Sequence, residues 1–215
     1  MAFPQSVELT TPDGIVLHGQ YWVRGDDAAL CIHGPERDLD DWGPLARGLS
    51  AVGVSCLAVD QRAHGLSGGT WAEGLILPDI QVALAWLRRK NAGRLILVSE
   101  GIVAGHSLKL DGQVTPDAMV LLTPVAVAHT DTASLTTCSK LVLVGGRDVA
   151  ALGAVRQVFS GLTGPSVLMD LPTAEQGANL LATEAGDRVV ESIVSFLAVS
   201  LGLYRADEVT SEADE

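Results

Sequence analysis

The sequence predicts an α/β protein: a mostly parallel β-sheet with helices on both faces. Two observations carry that expectation. The strand-like runs "AALCIH", "VSCLAV", "RLILVS", "AMVLLT", "KLVLVG" and "SVLMDL" are continuously apolar rather than alternating, as parallel strands covered on both faces are. Between them lie stretches whose apolar residues recur at helical spacing. The chain has 215 residues, 47% of them hydrophobic. That length suits one sizeable domain, which buries roughly 70% of the surface its unfolded chain exposes.

Taken in order, "VELTTPDGIVLHGQYWV" reads as a hairpin about Pro12, Asp13 and Gly14. Trp42, Leu45, Ala46 and Leu49 form the inward face of a first helix, with Gly53 as its stop. Ile80, Ala83, Leu84 and Leu87 repeat that pattern. Pro78 is expected near the start of this second helix, and Arg88, Arg89 and Lys90 in its last turn, complementing the helix dipole. "LILVSEGIVAG" reads as a strand, a tight small-residue elbow and a helix. A last helix is expected from Asp187 to Leu201, with Val190, Ile193, Val194 and Leu197 inward. One domain therefore spans residues 1–204. The remainder, 205–215, is acidic, carrying five acids from Ala206 onward and no base, and is expected to be disordered.

Composition excludes several classes of function. A net charge of −12 repels nucleic acid and anionic membranes, whose binding depends on Lys and Arg. No apolar segment reaches the length of a membrane span. "MAFPQSVELTT" lacks the basic region and apolar core of a signal peptide, so a cytoplasmic protein is expected. Three cysteines do not form a disulfide framework; Cys31 and Cys56 read as small buried residues. There is no G-x-G-x-x-G and no P-loop, and no metal or cofactor is expected.

Three stretches together resemble the α/β-hydrolase family. "CIHG", Cys31 to Gly34, ends a strand with His-Gly. "AVDQRAHGLSGG", Ala58 to Gly69, is similar to the family's D-x-R-G-H-G-x-S loop. "LVLVGGRD", Leu141 to Asp148, is similar to the strand and loop that carry its catalytic acid. The motifs stand in the family's order, and the resemblance runs from about Val7 to Leu201. It implies an α/β-hydrolase fold with an eight-stranded, mostly parallel sheet. "VAVAHTDTASLTTCS" is too short for the usual helical lid, so no lid is expected. In such a loop His64 and Arg62 brace the backbone, and Ser67 caps it.

Acyl transfer in this family needs a serine on a strained elbow, a histidine base, an acid that orients it and two oxyanion donors. Counting from Arg94 places Gly101 where the serine would stand. A second register makes "LVSEG" the motif, with Ser99 as nucleophile and bulky Leu97 at the first glycine. Gln176 occupies the histidine position in "LPTAEQGANLL", and no histidine follows His129. Pro35 stands where one oxyanion N–H is expected and has none; Ile102 would supply the other. Only the acid is retained, as Asp148, which reads equally well as a helix N-cap.

Two functions are thus open. One is a catalytically inactive hydrolase-fold protein that binds a small molecule or protein partner in a pocket of His33, Gly34, Pro35, Glu100, Gly101, Ile102, Asp148 and Gln176. The other is a serine hydrolase with a rearranged site using Ser99, or Ser107 with His106. On the first reading Gly101, Asp148 and Gln176 are vestigial triad positions, and the Gln176 amide is expected to donate to the Asp148 carboxylate. The oligomeric state is not legible in the sequence.

Overall fold

The computed structural model describes residues 3–90, 93–110, 114–127, 138–182, 184 and 186–202. The acidic segment 205–215 and residues 128–137 of the connection expected to carry no lid lie outside these. The order is β1 (Gln5–Thr10), β2 (Val16–Trp22), β3 (Ala28–Ile32), a 3-10 turn (Leu39–Trp42), α1 (Gly43–Ala51), β4 (Ser55–Val59), α2 (Glu73–Arg89), β5 (Leu95–Glu100) and α3 (Gly101–Ser107). There follow β6 (Ala118–Leu122), β7 (Ser139–Gly145), α4 (Val149–Ser160), β8 (Ser166–Leu171), α5 (Asn179–Ala182) and α6 (Gly186–Leu201).

The eight strands form one sheet in the order β1-β2-β4-β3-β5-β6-β7-β8. β1 and β2 are the expected antiparallel hairpin, and β2 joins β4 antiparallel; every later pair is parallel. Two apolar clusters fill the two faces. One lies between the sheet and α2, α3 and α4; the other lies beneath α1, α5 and α6. α1 and α6 approach closely at Gly48, where a Cβ would sit 2.1 Å from a methyl of Val190.

Two expectations are corrected. Pro78 lies in the second turn of α2 rather than near its start, because the apolar stripe extends one turn upstream to Ile76. The missing N–H at Pro78 leaves the Gly74 carbonyl without its usual helical donor. β8, as apolar in sequence as its neighbours, is the sheet's last strand and is only partly covered. α6 lies mainly over β6 and β7, so one face of β8 projects beyond it.

Candidate functional site

The strand order changes direction between β3 and β5. β3 leads to β4 on one side, while β5 leads to β6 on the other. Such a switch point opens a crevice at the carboxyl ends of the strands, where open α/β sheets bind ligands. The register gathers those ends along one edge: Ile32 pairs with Ser99, Glu100 with Leu122, and Leu122 with Leu143. His33, Gly34, Gly101, Thr123 and the Gly145–Asp148 turn therefore share that edge.

Gly101 follows β5 and opens α3 at φ +56°, in the left-handed region that glycine enters without cost. A Cβ built there meets nothing within 4 Å, so a side chain at this position would project into open space. Ile102 follows in the first turn of α3, where N–H groups lack a helical acceptor. Gly34 is buried and Pro35 exposed on the loop after β3. Two turns into α3, Gly105 is required by packing, since a Cβ would meet the Val125 carbonyl at 1.9 Å.

The serines of the second reading are elsewhere. Ser99 and Ser107 are fully buried, and their hydroxyls bond to each other at 3.1 Å. Ser107 also donates to the Val103 carbonyl at 2.8 Å. His106 faces Glu73 at 3.1 Å, away from both. Neither serine has a histidine partner or access to solvent.

Two expected pocket residues are internal braces. His33 is fully buried. Its Nε2 accepts the Gln61 N–H at 3.0 Å, which makes Nδ1 the donor to the Gly34 carbonyl at 2.7 Å. Burial pulls its pKa below the usual histidine value, so it stays neutral. The Glu100 carboxylate joins the loop after β3 to the loop after β8. Oε1 accepts the Gly34 N–H at 2.6 Å and lies 3.5 Å from Arg37 Nε; Oε2 accepts the Ala178 N–H. Gly177 sits at φ +57°, the left-handed region that favours glycine, and a Cβ there would meet Oε2 at 2.1 Å. The next loop is braced as expected. Arg62 reaches Asp13 and Asp79, His64 accepts the Glu36 N–H, and the Ser67 hydroxyl donates to the Asp60 carbonyl.

The expected Gln176–Asp148 bond is not made. Asp148 caps α4, accepting the Ala151 N–H at 3.0 Å. The Gln176 amide instead accepts from the Thr123 hydroxyl at 2.8 Å and donates to the carbonyls of Gly145 and Ala174, both at 3.3 Å. The physical reason is Thr123. Its hydroxyl also accepts the Gly177 N–H at 3.1 Å and holds the Gln176 loop over β6, while the helix N-terminus claims the Asp148 carboxylate. Sequence reasoning missed Thr123 and Arg37. The "TP" after "VLL" marked only a strand end, though Thr123 sits at φ +47°, rare for a β-branched residue.

No protein-family model matches this chain, and no curated protein matches it by sequence. Solved structures do. An esterase of Pyrococcus furiosus superposes with a TM-score of 0.75 at 18% identity, over 92% of this chain and 91% of that one. An esterase from Exiguobacterium antarcticum gives 0.74 at 13% identity, over 90% and 99%. A lidless α/β serine hydrolase from Xanthomonas campestris gives 0.69 at 18% identity, over 94% and 95%. At such identity the likeness establishes the fold alone, and that fold is the α/β-hydrolase fold.

Proposed function

We propose that this chain, an α/β-hydrolase fold, is catalytically silent and uses the crevice between β3 and β5 to bind a small molecule or protein partner. The observation that carries the reading is the elbow. Gly101 has the backbone of a nucleophile turn and open space above it, but no side chain to react. The surrounding parts support it. Gln176, at the histidine position, is turned to Thr123 and Gly145. An amide accepts no proton near neutral pH, so it cannot act as the base. Pro35 offers no N–H, and losing one oxyanion donor costs about a hundredfold or more in rate.

The second reading, a hydrolase on Ser99 or Ser107, draws no support from two buried hydroxyls bonded to each other. A serine needs an adjacent base to attack at neutral pH. A cytoplasmic setting suits Cys31 and Cys56, whose sulfurs lie 3.6 Å apart as free thiols. Among the described residues no helix is long and apolar enough to cross a membrane.

The test is labelling with a fluorophosphonate probe and turnover of activated esters, for wild type beside Ser99→Ala and Ser107→Ala. All three are expected to be equally silent. Wild-type labelling that either alanine variant abolishes would overturn the proposal. Silence makes a thermal-shift ligand screen the next measurement, since a ligand at a hundred times its Kd stabilises by about 2.7 kcal/mol.

A further inference from the structure

Two backbone N–H groups and a guanidinium, from two distant loops, converge on one buried side chain. Glu100, at the end of β5, is 3% exposed. Its Oε1 accepts the Gly34 N–H at 2.6 Å and lies 3.5 Å from Arg37 Nε, which Asp41 shares at 2.7 Å. Its Oε2 accepts the Ala178 N–H. Gly34 follows β3, on one side of β5; Ala178 follows β8, at the end of the sheet on the other side.

Glycine brings bare backbone against each oxygen. A Cβ at Gly34 would lie 3.4 Å from Oε1, and one at Gly177 only 2.1 Å from Oε2. Each donor is also held by partners other than Glu100. His33 Nδ1 donates to the Gly34 carbonyl at 2.7 Å, and Asp41 holds Arg37. The loop after β8 is fixed on its way across the strand ends. The Arg147 N–H donates to the Thr173 carbonyl at 2.9 Å, and Thr123 accepts the Gly177 N–H at 3.1 Å. The cradle is therefore set by the fold and does not depend on the side chain that fills it.

We propose that Gly34, Ala178 and Arg37 form a carboxylate-binding site that the chain fills with its own Glu100. The occupant latches the loops after β3 and β8 together and leaves no donor here for an external anion. These contacts are the same whether or not the elbow at Gly101 reacts.

The ligand class follows from the donors. A buried N–H that loses its acceptor carries the full cost of its desolvation. Bonds to an ionised acceptor are about twice as strong as neutral ones, so an anion is the preferred replacement. Glu100→Ala removes a methylene and a carboxylate, and acetate carries the same heavy atoms.

The test is Glu100→Ala melted in sodium acetate and in sodium chloride of equal ionic strength. Acetate is expected to raise its Tm by about 3–5 °C for each tenfold increase above the Kd. It should also return the Gly34 and Ala178 amide resonances toward their wild-type positions. Acetamide, the neutral counterpart, should do neither, and wild type should gain nothing from acetate beyond the effect of chloride. Where Glu100→Ala is unfolded in chloride, folding by acetate and not by acetamide, read by circular dichroism, is the same supporting result. A folded variant that acetate stabilises no more than chloride overturns the proposal, as does a variant unfolded in both salts. So do equal stabilisation by acetamide, equal stabilisation of wild type, and a stabilised variant whose Gly34 and Ala178 resonances stay unmoved. None of these outcomes bears on catalytic silence, which fluorophosphonate labelling reads separately.

Discussion

At the scale of the residue, Gly101 and His33 define the crevice in opposite ways, one by openness and one by burial. With φ at +56° and nothing within 4 Å of an added Cβ, Gly101 should accept a small side chain that points to solvent. Gly101→Cys is expected to cost about 1–2 kcal/mol, the strain of an L-residue in the left-handed region. It should also react with a maleimide at pH 7 far faster than any native thiol. Cys31, Cys56 and Cys138 are buried, and burial pushes the Cys138 thiol up to about 11. Mass spectrometry finding no faster modification than in wild type would mean the elbow is closed. His33 should keep a neutral ring, with its proton on Nδ1, at pH values where exposed histidines charge; ring NMR through a pH titration reads this directly. Its folded pKa is depressed, so below the unfolded value of about 6.5 the unfolded chain binds a proton the folded one refuses. The contribution is nil above that pH and destabilising as pH falls through it. A ring that titrates at or above 6.5 would contradict the assignment. Gly101 and Gln176 were singled out through the resemblance to the α/β-hydrolase motifs. Thr123 was not, since its bonds to Gln176 and Gly177 join positions 53 and 54 residues apart.

At the scale of elements, strand ends are stitched together by one loop. The loop after β8 is held at Glu100, Thr123 and Gly145, and Glu100 also holds the loop after β3. Glu100→Gln leaves one amide oxygen for two N–H groups and turns an NH2 toward the other. Removing a buried charge-assisted acceptor from a donor costs about 2–3 kcal/mol. For a domain of this size each kcal/mol lowers Tm by about 2–4 °C. A fall of roughly 4–12 °C is expected, with faster amide exchange at Gly177 and Ala178; an unchanged Tm would show the carboxylate bears no load. Periodicity and apolar runs made the elements legible, because burial on both faces leaves its mark on composition. That mark says nothing about which strand is last. "SVLMDL" looks as buried as "AMVLLT", yet it ends the sheet, because position in the strand order depends on contacts that no local window contains.

At the scale of the whole molecule, the candidate site is assembled from positions near 35, 101, 148 and 176, which only the fold brings to one edge. The order of three motifs made that assembly legible; the orientation of side chains within it was not. Orientation decides the last prediction, that placing a serine and a histidine together at the two proposed triad positions, as Gly101→Ser with Gln176→His, yields no ester turnover above wild type. A serine fits the open elbow, so the nucleophile is not the obstacle. The base is. A side chain at position 176 lies in a loop held toward Thr123 and Gly145, and Asp148 is occupied as the cap of α4. A histidine not oriented by its acid loses about 10⁴ in kcat. On the proposed reading of Pro35 as an oxyanion position, its missing N–H removes about a further 10² to 10³. Together these losses are about the size of the contribution of an entire triad, roughly a millionfold. The measurement is hydrolysis of an activated aryl ester by purified double variant and wild type at equal concentration. Turnover gained by the double variant, and lost when either position is reverted, would mean that those two substitutions alone silence the scaffold and that Asp148 can leave its helix to orient a base.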